Sequence, residues 1–176
     1  MTHPTQALHI PDTQSERDER HLVIQRVGVK DVRYPLRLRV AGAEQTTAAL
    51  WSLDVALPAE KKGTHMSRFV AWLDGLDAPL DAAVLRDKLG AMLTLLSASE
   101  GRIESRFSFF LRKRAPVSGV QSLLDYQGRW IAEARAGQTT VWTEVAVPVK
   151  SLCPCSKEIS DYGAHNQRST VTIRAE

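Results

Sequence analysis

Apolar and polar residues alternate with a period of two through most of this chain, and one central stretch breaks that rhythm with helical spacing. Leu36, Leu38 and Val40 fall on one side of a strand, with Arg37 and Arg39 on the other. After the turn Ala41-Gly42-Ala43-Glu44, a second run sets Trp51, Leu53, Val55 and Leu57 opposite Ser52, Asp54 and Ala56. Strand side chains alternate between faces, so two such runs around a glycine turn predict an antiparallel hairpin with one buried face.

The rhythm then changes. Gly63-Thr64 predicts a helix start with Thr64 as N-cap, followed by Met66, Phe69, Val70 and Leu73 at helical spacing and a stop at Gly75. Leu85, Leu89, Met92, Leu93 and Leu96 form the apolar stripe of a second helix, with Pro79 near its start and Gly101 past its end. A stripe of Leu and Met reads as core.

Alternation returns at Ile103, Phe107, Phe109 and Leu111, set against Glu104, Arg106, Phe110 and Arg112. Leu124, Tyr126, Gly128, Trp130 and Ile131 continue it, and Gly137-Gln138 supplies a hairpin turn before Val141, Thr143, Val145, Val147 and Val149. Val171 and Ile173 begin a further strand. Two strands, two helices and then strands again, joined by short connections, predict an α+β fold: an antiparallel sheet with two helices packed on one face. Residues 1–20, with Pro4, Pro11 and a charged run, read as a flexible lead-in. Residues 21–150 read as the ββααββ module, and 151–176 as an active-site segment and the start of a second module. The sequence stops within that strand, which reads as a C-terminal truncation.

Composition removes some classes of function. The apolar share of 43% and charged share of 24% are those of an ordinary globular protein. No apolar run reaches membrane-spanning length, and Met1 to Arg20 has no apolar signal core, which predicts a cytoplasmic protein with no membrane partner. A net charge of +3 is too small an excess to indicate nucleic acid. Cys153 and Cys155 are the whole cysteine inventory, and a single proline between them disfavours a disulfide.

The reactive side chains concentrate between Ser151 and Ser169. Cys153, Cys155 and His165 are soft-to-borderline ligands that suit zinc, and the same residues suit proton transfer. The spacing matches no zinc finger. The alternative is a pair of small, half-buried thiols and a structural histidine. Lys157, Glu158 and Arg168 stand close by as possible support or substrate contacts. At the first helix start, His65, Ser67 and Arg68 are candidates to bind phosphate, since a helix N-terminus attracts anions. The alternative there is a well-capped surface helix.

Taken as strings, these segments resemble the type 2 GTP cyclohydrolase I family (type IB). The resemblance lies in Cys-Pro-Cys-Ser-Lys-Glu-Ile-Ser from Cys153, Gly-Ala-His-Asn-Gln-Arg-Ser from Gly163, Gly63 to Phe69, Ile10-Pro11-Asp12-Thr13-Gln14, Val27-Gly28-Val29-Lys30 and Arg33-Tyr34-Pro35. It runs from about Ile10 to the last residue. One departure is Thr46, where the family tends to carry histidine between Gln45 and Thr47.

The resemblance implies a tunnelling fold (T-fold), assembled as a homo-oligomer, a tetramer. It implies hydrolysis of GTP at C8, loss of formate, and reclosure to 7,8-dihydroneopterin triphosphate on the way to folate-type pterins. It implies a divalent metal, zinc with manganese or iron as alternatives. Cys153 would be a metal ligand and His165 the catalytic acid/base. The remaining ligands, a glutamate and a histidine, and a substrate-anchoring glutamate would lie beyond this sequence. Two rivals remain: a T-fold nitrile reductase with a cysteine nucleophile and a nicotinamide cofactor, and a non-catalytic subunit that oligomerises or binds nucleotide.

Overall fold

A computed structural model describes residues 16–176; the expectations placed on residues 1–15, including the Ile10 to Gln14 string, lie outside the described residues. The chain forms β1 (Ile24–Val40), β2 (Ala43–Leu57), α1 (Met66–Asp74), α2 (Ala82–Leu96), β3 (Gly101–Arg114), β4 (Gln121–Arg135), β5 (Gln138–Leu152), α3 (Pro154–Ile159) and β6 (Asn166–Ala175). The six strands make one sheet in chain order, each antiparallel to the next. This is the α+β arrangement of an antiparallel sheet with helices inserted between its second and third strands.

Two hairpins turn on the same dipeptide. Ala41-Gly42 joins Val40 to its partner Ala43, and Ala136-Gly137 joins Arg135 to Gln138. All four turn residues have positive φ, from 49° to 81°, the conformation that matches the twist of two-residue hairpins. The second turn therefore sits one residue earlier than the Gly137-Gln138 reading.

The buried face of the sheet follows from register. Trp51, Leu53 and Val55 on β2 share a face with Ile103 and Phe107 on β3 and with Trp130, Ala132 and Ala134 on β4. Against them α1 lays Phe69, Trp72 and Leu73, and α2 lays Leu85, Leu89, Met92 and Leu96, all buried. Each fully buried Leu or Phe contributes about 1.5–3 kcal/mol. Trp51 meets Trp72 edge-on at 6.1 Å, and Phe107 packs on Trp130 at 4.5 Å. Both separations suit the aromatic quadrupole.

One helix boundary differs from the sequence reading, and the ends of α2 are fixed by residues it did not name. His65, not Thr64, is the residue before α1, and Thr64 is buried. Asp81 caps α2, its carboxylate accepting from the Val84 N–H at 2.9 Å. The helix ends on Ser97 at φ 50°, while Gly101 starts β3, where a Cβ would lie 2.7 Å from the Asp54 carbonyl oxygen. Gly101 is thus required by close strand packing rather than by helix termination.

The opposite face of the sheet is a ladder of charges. Glu104 accepts from Arg102 at 2.8 Å and from Arg129 at 2.9 Å, while Glu144 holds Arg129 at 3.1 Å. Arg174 reaches Glu144 at 3.6 Å and lies over the Trp142 ring at 4.8 Å. Arg106 pairs with Asp31 from the edge strand. Burial works to raise the Glu104 carboxyl, but the arginines, Arg129 first, hold it below the ordinary range.

Of the lead-in, residues 16–20 are seen to be tied to the body. Asp18 N–H donates to the Glu60 carbonyl at 3.0 Å, and Lys62 N–H to that of Glu16 at 3.3 Å. Among the described residues no helix is long and apolar enough to cross a membrane.

Candidate active site

The ladder between β5 and β6 ends with Leu152 opposite Asn166. Cys153 is the next residue on one arm and His165 the next on the other. The Cys153 N–H donates to the His165 carbonyl at 3.2 Å, so the hairpin extends by one bond and brings the two residues together. The sequence between them does not run as a plain loop. Cys153 is extended (φ −82°, ψ 110°) and Pro154 takes the first position of α3, where its fixed φ suits a helix and its missing N–H costs nothing. Gly163, at φ 93°, then turns the chain back toward β6.

Ser156 is the residue that links the pair. Its hydroxyl is hydrogen-bonded to Nδ1 of His165. No side-chain capping bond of ordinary geometry closes α3. Even so, Ser156 favours the ionised form of the Cys153 sulfur through its N–H and hydroxyl, with Cys155 adding a smaller push in the same direction. The thiol is therefore held below its ordinary range. Both cysteines are free; Cys153 is half-buried and Cys155 exposed. Sequence reasoning passed over Ser156. The available signal was its place three residues after an extended residue followed by proline, the spacing from which a side chain reaches back over a helix start.

The other candidates divide by location. Cys155, Lys157 and Glu158 lie on α3 with exposed side chains. Arg168 lies on β6 directly opposite Lys150, both exposed. Two like charges facing each other on a ladder repel.

His65, Ser67 and Arg68 sit elsewhere, at the start of α1, which borders β1 and α2. Arg68 donates to the Leu95 carbonyl at 3.3 Å and Lys61 to the Ser97 carbonyl at 2.7 Å, so both cations serve the C-terminal carbonyls of α2. A cavity of about 170 Å³ lined by Lys61, Thr64, His65 and Arg68 contains none of residues 151–168.

Among the described residues, no three His, Cys, Asp or Glu side chains gather closely enough to hold a metal ion. A catalytic zinc takes three protein ligands. The acidic, accessible Cys153 thiol has the donor chemistry of one such ligand, but the described residues do not complete the set.

Over residues 10–176 the chain matches the family described as type I GTP cyclohydrolase FolE2. The chain belongs to this family. The GTP cyclohydrolase FolE2 of Methylibium petroleiphilum is 77% identical over 172 residues, covering 96% of this chain and 58% of that protein. That of Paraburkholderia xenovorans is 58% identical over 177 residues, covering 100% of this chain and 66% of that protein. GTP cyclohydrolase FolE2 2 of Cupriavidus metallidurans is 57% identical over 170 residues, covering 97% and 64%. The chain thus spans between 58% and 66% of the length of these FolE2 relatives.

Proposed function

We propose that this chain forms part of a GTP cyclohydrolase that opens GTP at C8 of the purine, releases formate and yields 7,8-dihydroneopterin triphosphate for folate-type pterin synthesis. The observation that carries this reading is the meeting of Cys153 and His165 at the end of one hairpin in a member of the FolE2 family. His165 is the acid/base, since an imidazole is the side chain best suited to take and return a proton near neutral pH. The facing cations Lys150 and Arg168 support an anionic substrate, because a bound phosphate would relieve their mutual repulsion.

A divalent ion belongs to this reading, zinc with manganese or iron as alternatives. Cys153 would be one of its ligands, and the others would come from outside the described residues. When bound, such an ion supplies an activated water and a Lewis acid. The chain's own part is to present an ionisable sulfur and a proton carrier on adjacent rungs.

The same reading places the sheet in a tunnelling fold (T-fold), in a cytoplasmic homo-oligomer, a tetramer. The outer strands β1 and β6 support this, since each has one edge not paired within the described chain.

Purified protein containing this chain, given GTP with zinc or manganese, should release formate and generate a fluorescent pterin after oxidation. His165→Ala should slow that release at least about a hundredfold, the usual contribution of a positioned acid/base. Formate absent under every metal tried would refute the reading. Oxidation of NADPH by a 7-deazaguanine nitrile would replace it with the reductase.

A further inference from the structure

We propose that Glu144 and Arg174 are positioning residues: their ion pair selects the register of β6 and so keeps His165 beside Cys153. All ten residues of β6 are exposed, so burial of one face, the usual guarantor of register, is weak for this strand. A slip of one residue is still disfavoured, because it would turn Val171 and Ile173 away from the face they share with Val147 and Val145. A slip of two is not. In the observed register Val171 lies opposite Val147, and Ile173 opposite Val145. Moved along by two, Val171 would meet Val149 and Ile173 would meet Val147. The repeating Val145, Val147 and Val149 supply the same apolar pairs in either register.

The polar face breaks the tie. Lys150 faces Arg168 in the observed register, a like-charge pair that works against it, and the shift would set Thr170 opposite Lys150 instead. Glu144 weighs the other way. It faces Arg174 at 3.6 Å, the one ion pair that joins β5 to β6 among the described residues. After the shift Glu144 would face Glu176, and Arg174 would face Ala146. Arg129 on β4 holds the same carboxylate at 3.1 Å, so the anion is aimed from within the sheet and β6 is aligned against it. Two strand residues span about 7 Å. The shifted register would put Gln167 opposite Cys153 and break the Cys153 N–H bond to the His165 carbonyl. The consequence for turnover rests on the reading of Cys153 and His165 as the active site; the register itself does not.

The test moves the cation. In protein containing this chain, the double substitution Arg174→Thr with Glu176→Arg leaves the Arg129–Glu144 pair intact and offers Glu144 its partner two residues later. Methyl nuclear Overhauser spectra on valine- and isoleucine-labelled protein read the outcome. Val149 and Ile173 are about 14 Å apart along the observed ladder and should give no contact in the wild type. The shift makes them diagonal neighbours about 7 Å apart, so the double variant should show a contact. Exchange of its Cys153 amide should rise roughly twofold to thirtyfold, for one exposed pair lost and one gained. Arg174→Lys, which keeps the charge in place, should match the wild type in both. In the formate assay the double variant should lose kcat in proportion to its shifted fraction, with KM unchanged. A Val149–Ile173 contact in the wild type or in Arg174→Lys, or none in the double variant, overturns the proposal. Faster exchange without that contact is fraying and overturns it too. A register that follows the cation in a protein releasing no formate upholds the selection and rejects the cyclohydrolase reading instead.

Discussion

The backbone N–H of Cys153 donates to the carbonyl oxygen of His165 at 3.2 Å, one step past the last rung of the β5–β6 ladder. That bond uses no side-chain atom of Cys153, so the structural and chemical contributions of the residue separate cleanly. Cys153→Ala should leave stability within about 0.5 kcal/mol, as for an accessible side chain outside the core. It should nevertheless abolish metal-supported formate release. Denaturant unfolding and the formate assay, run on the same preparation, check both halves.

The Cys153 thiol should ionise at lower pH than an ordinary cysteine, because Ser156 favours the thiolate. Alkylation of metal-free protein in a Cys155→Ser background should therefore rise with pH to a midpoint below that of an unstructured peptide of the same sequence. Ser156→Ala should move the midpoint upward. Equal midpoints for protein and peptide would contradict the geometry.

Gly28 faces Asp54 across β1 and β2, and a Cβ there would lie 1.9 Å from the Leu53 carbonyl oxygen. The obstacle is backbone, which cannot rotate away as a side chain can. Gly28→Ala should cost about 3 kcal/mol or more, the upper range for overpacking. A lowered midpoint in urea with an unchanged slope would show it.

Asp18 accepts from Arg20 through its Nε at 3.0 Å and Nη2 at 2.8 Å, and from its backbone N–H at 3.0 Å. These bonds lower its carboxyl from 3.8 to about 2. A depressed carboxyl stabilises the fold above its unfolded value and ceases to as pH falls through its folded one, so this contribution fades between 3.8 and about 2. Carbonyl ¹³C titration should find the midpoint near the lower figure, and Arg20→Ala should raise it.

Ser105 and Trp51 are opposite one another in the β2–β3 ladder and both fully buried, yet Ser105 Oγ and Trp51 Nε1 have no protein hydrogen-bond partner. A buried hydroxyl without a partner is a net cost. Ser105→Ala should be neutral or stabilising by up to about 1 kcal/mol, read as a higher thermal midpoint.

The strands and the two long helices were legible because each must bury one face, and that obligation writes its period into the residues. Trp51, Leu53 and Val55, and Leu85, Leu89 and Met92, stand where their spacing predicts. What escaped was local. The helix α3 spans six residues, too few for a period to emerge, and begins on a proline that reads as a breaker. Gly101 was placed past the end of the second helix, but its reason was hidden, because sequence shows that a side chain is absent without showing what needs the room. The charged run at residues 16–20 reads as part of a flexible lead-in, yet Asp18 is buried and its N–H pairs with the carbonyl of Glu60, far along the chain. At the candidate site, Cys153 and His165 drew notice by residue type. Ser156 did not, because a serine acquires meaning only from what it touches.

β5 and β6 meet over ten consecutive pairs before the chain reaches Cys153 and His165. The ladder acts as a ruler whose zero mark is the hairpin's far end. Deleting or inserting one residue along either arm would rotate everything beyond it by half a turn, carrying sulfur and imidazole to opposite sides of the sheet. The chemistry therefore tolerates no change of length within these strands, and the stretch from Pro154 to Ala164 is held as well by the need to keep Ser156 at the histidine ring.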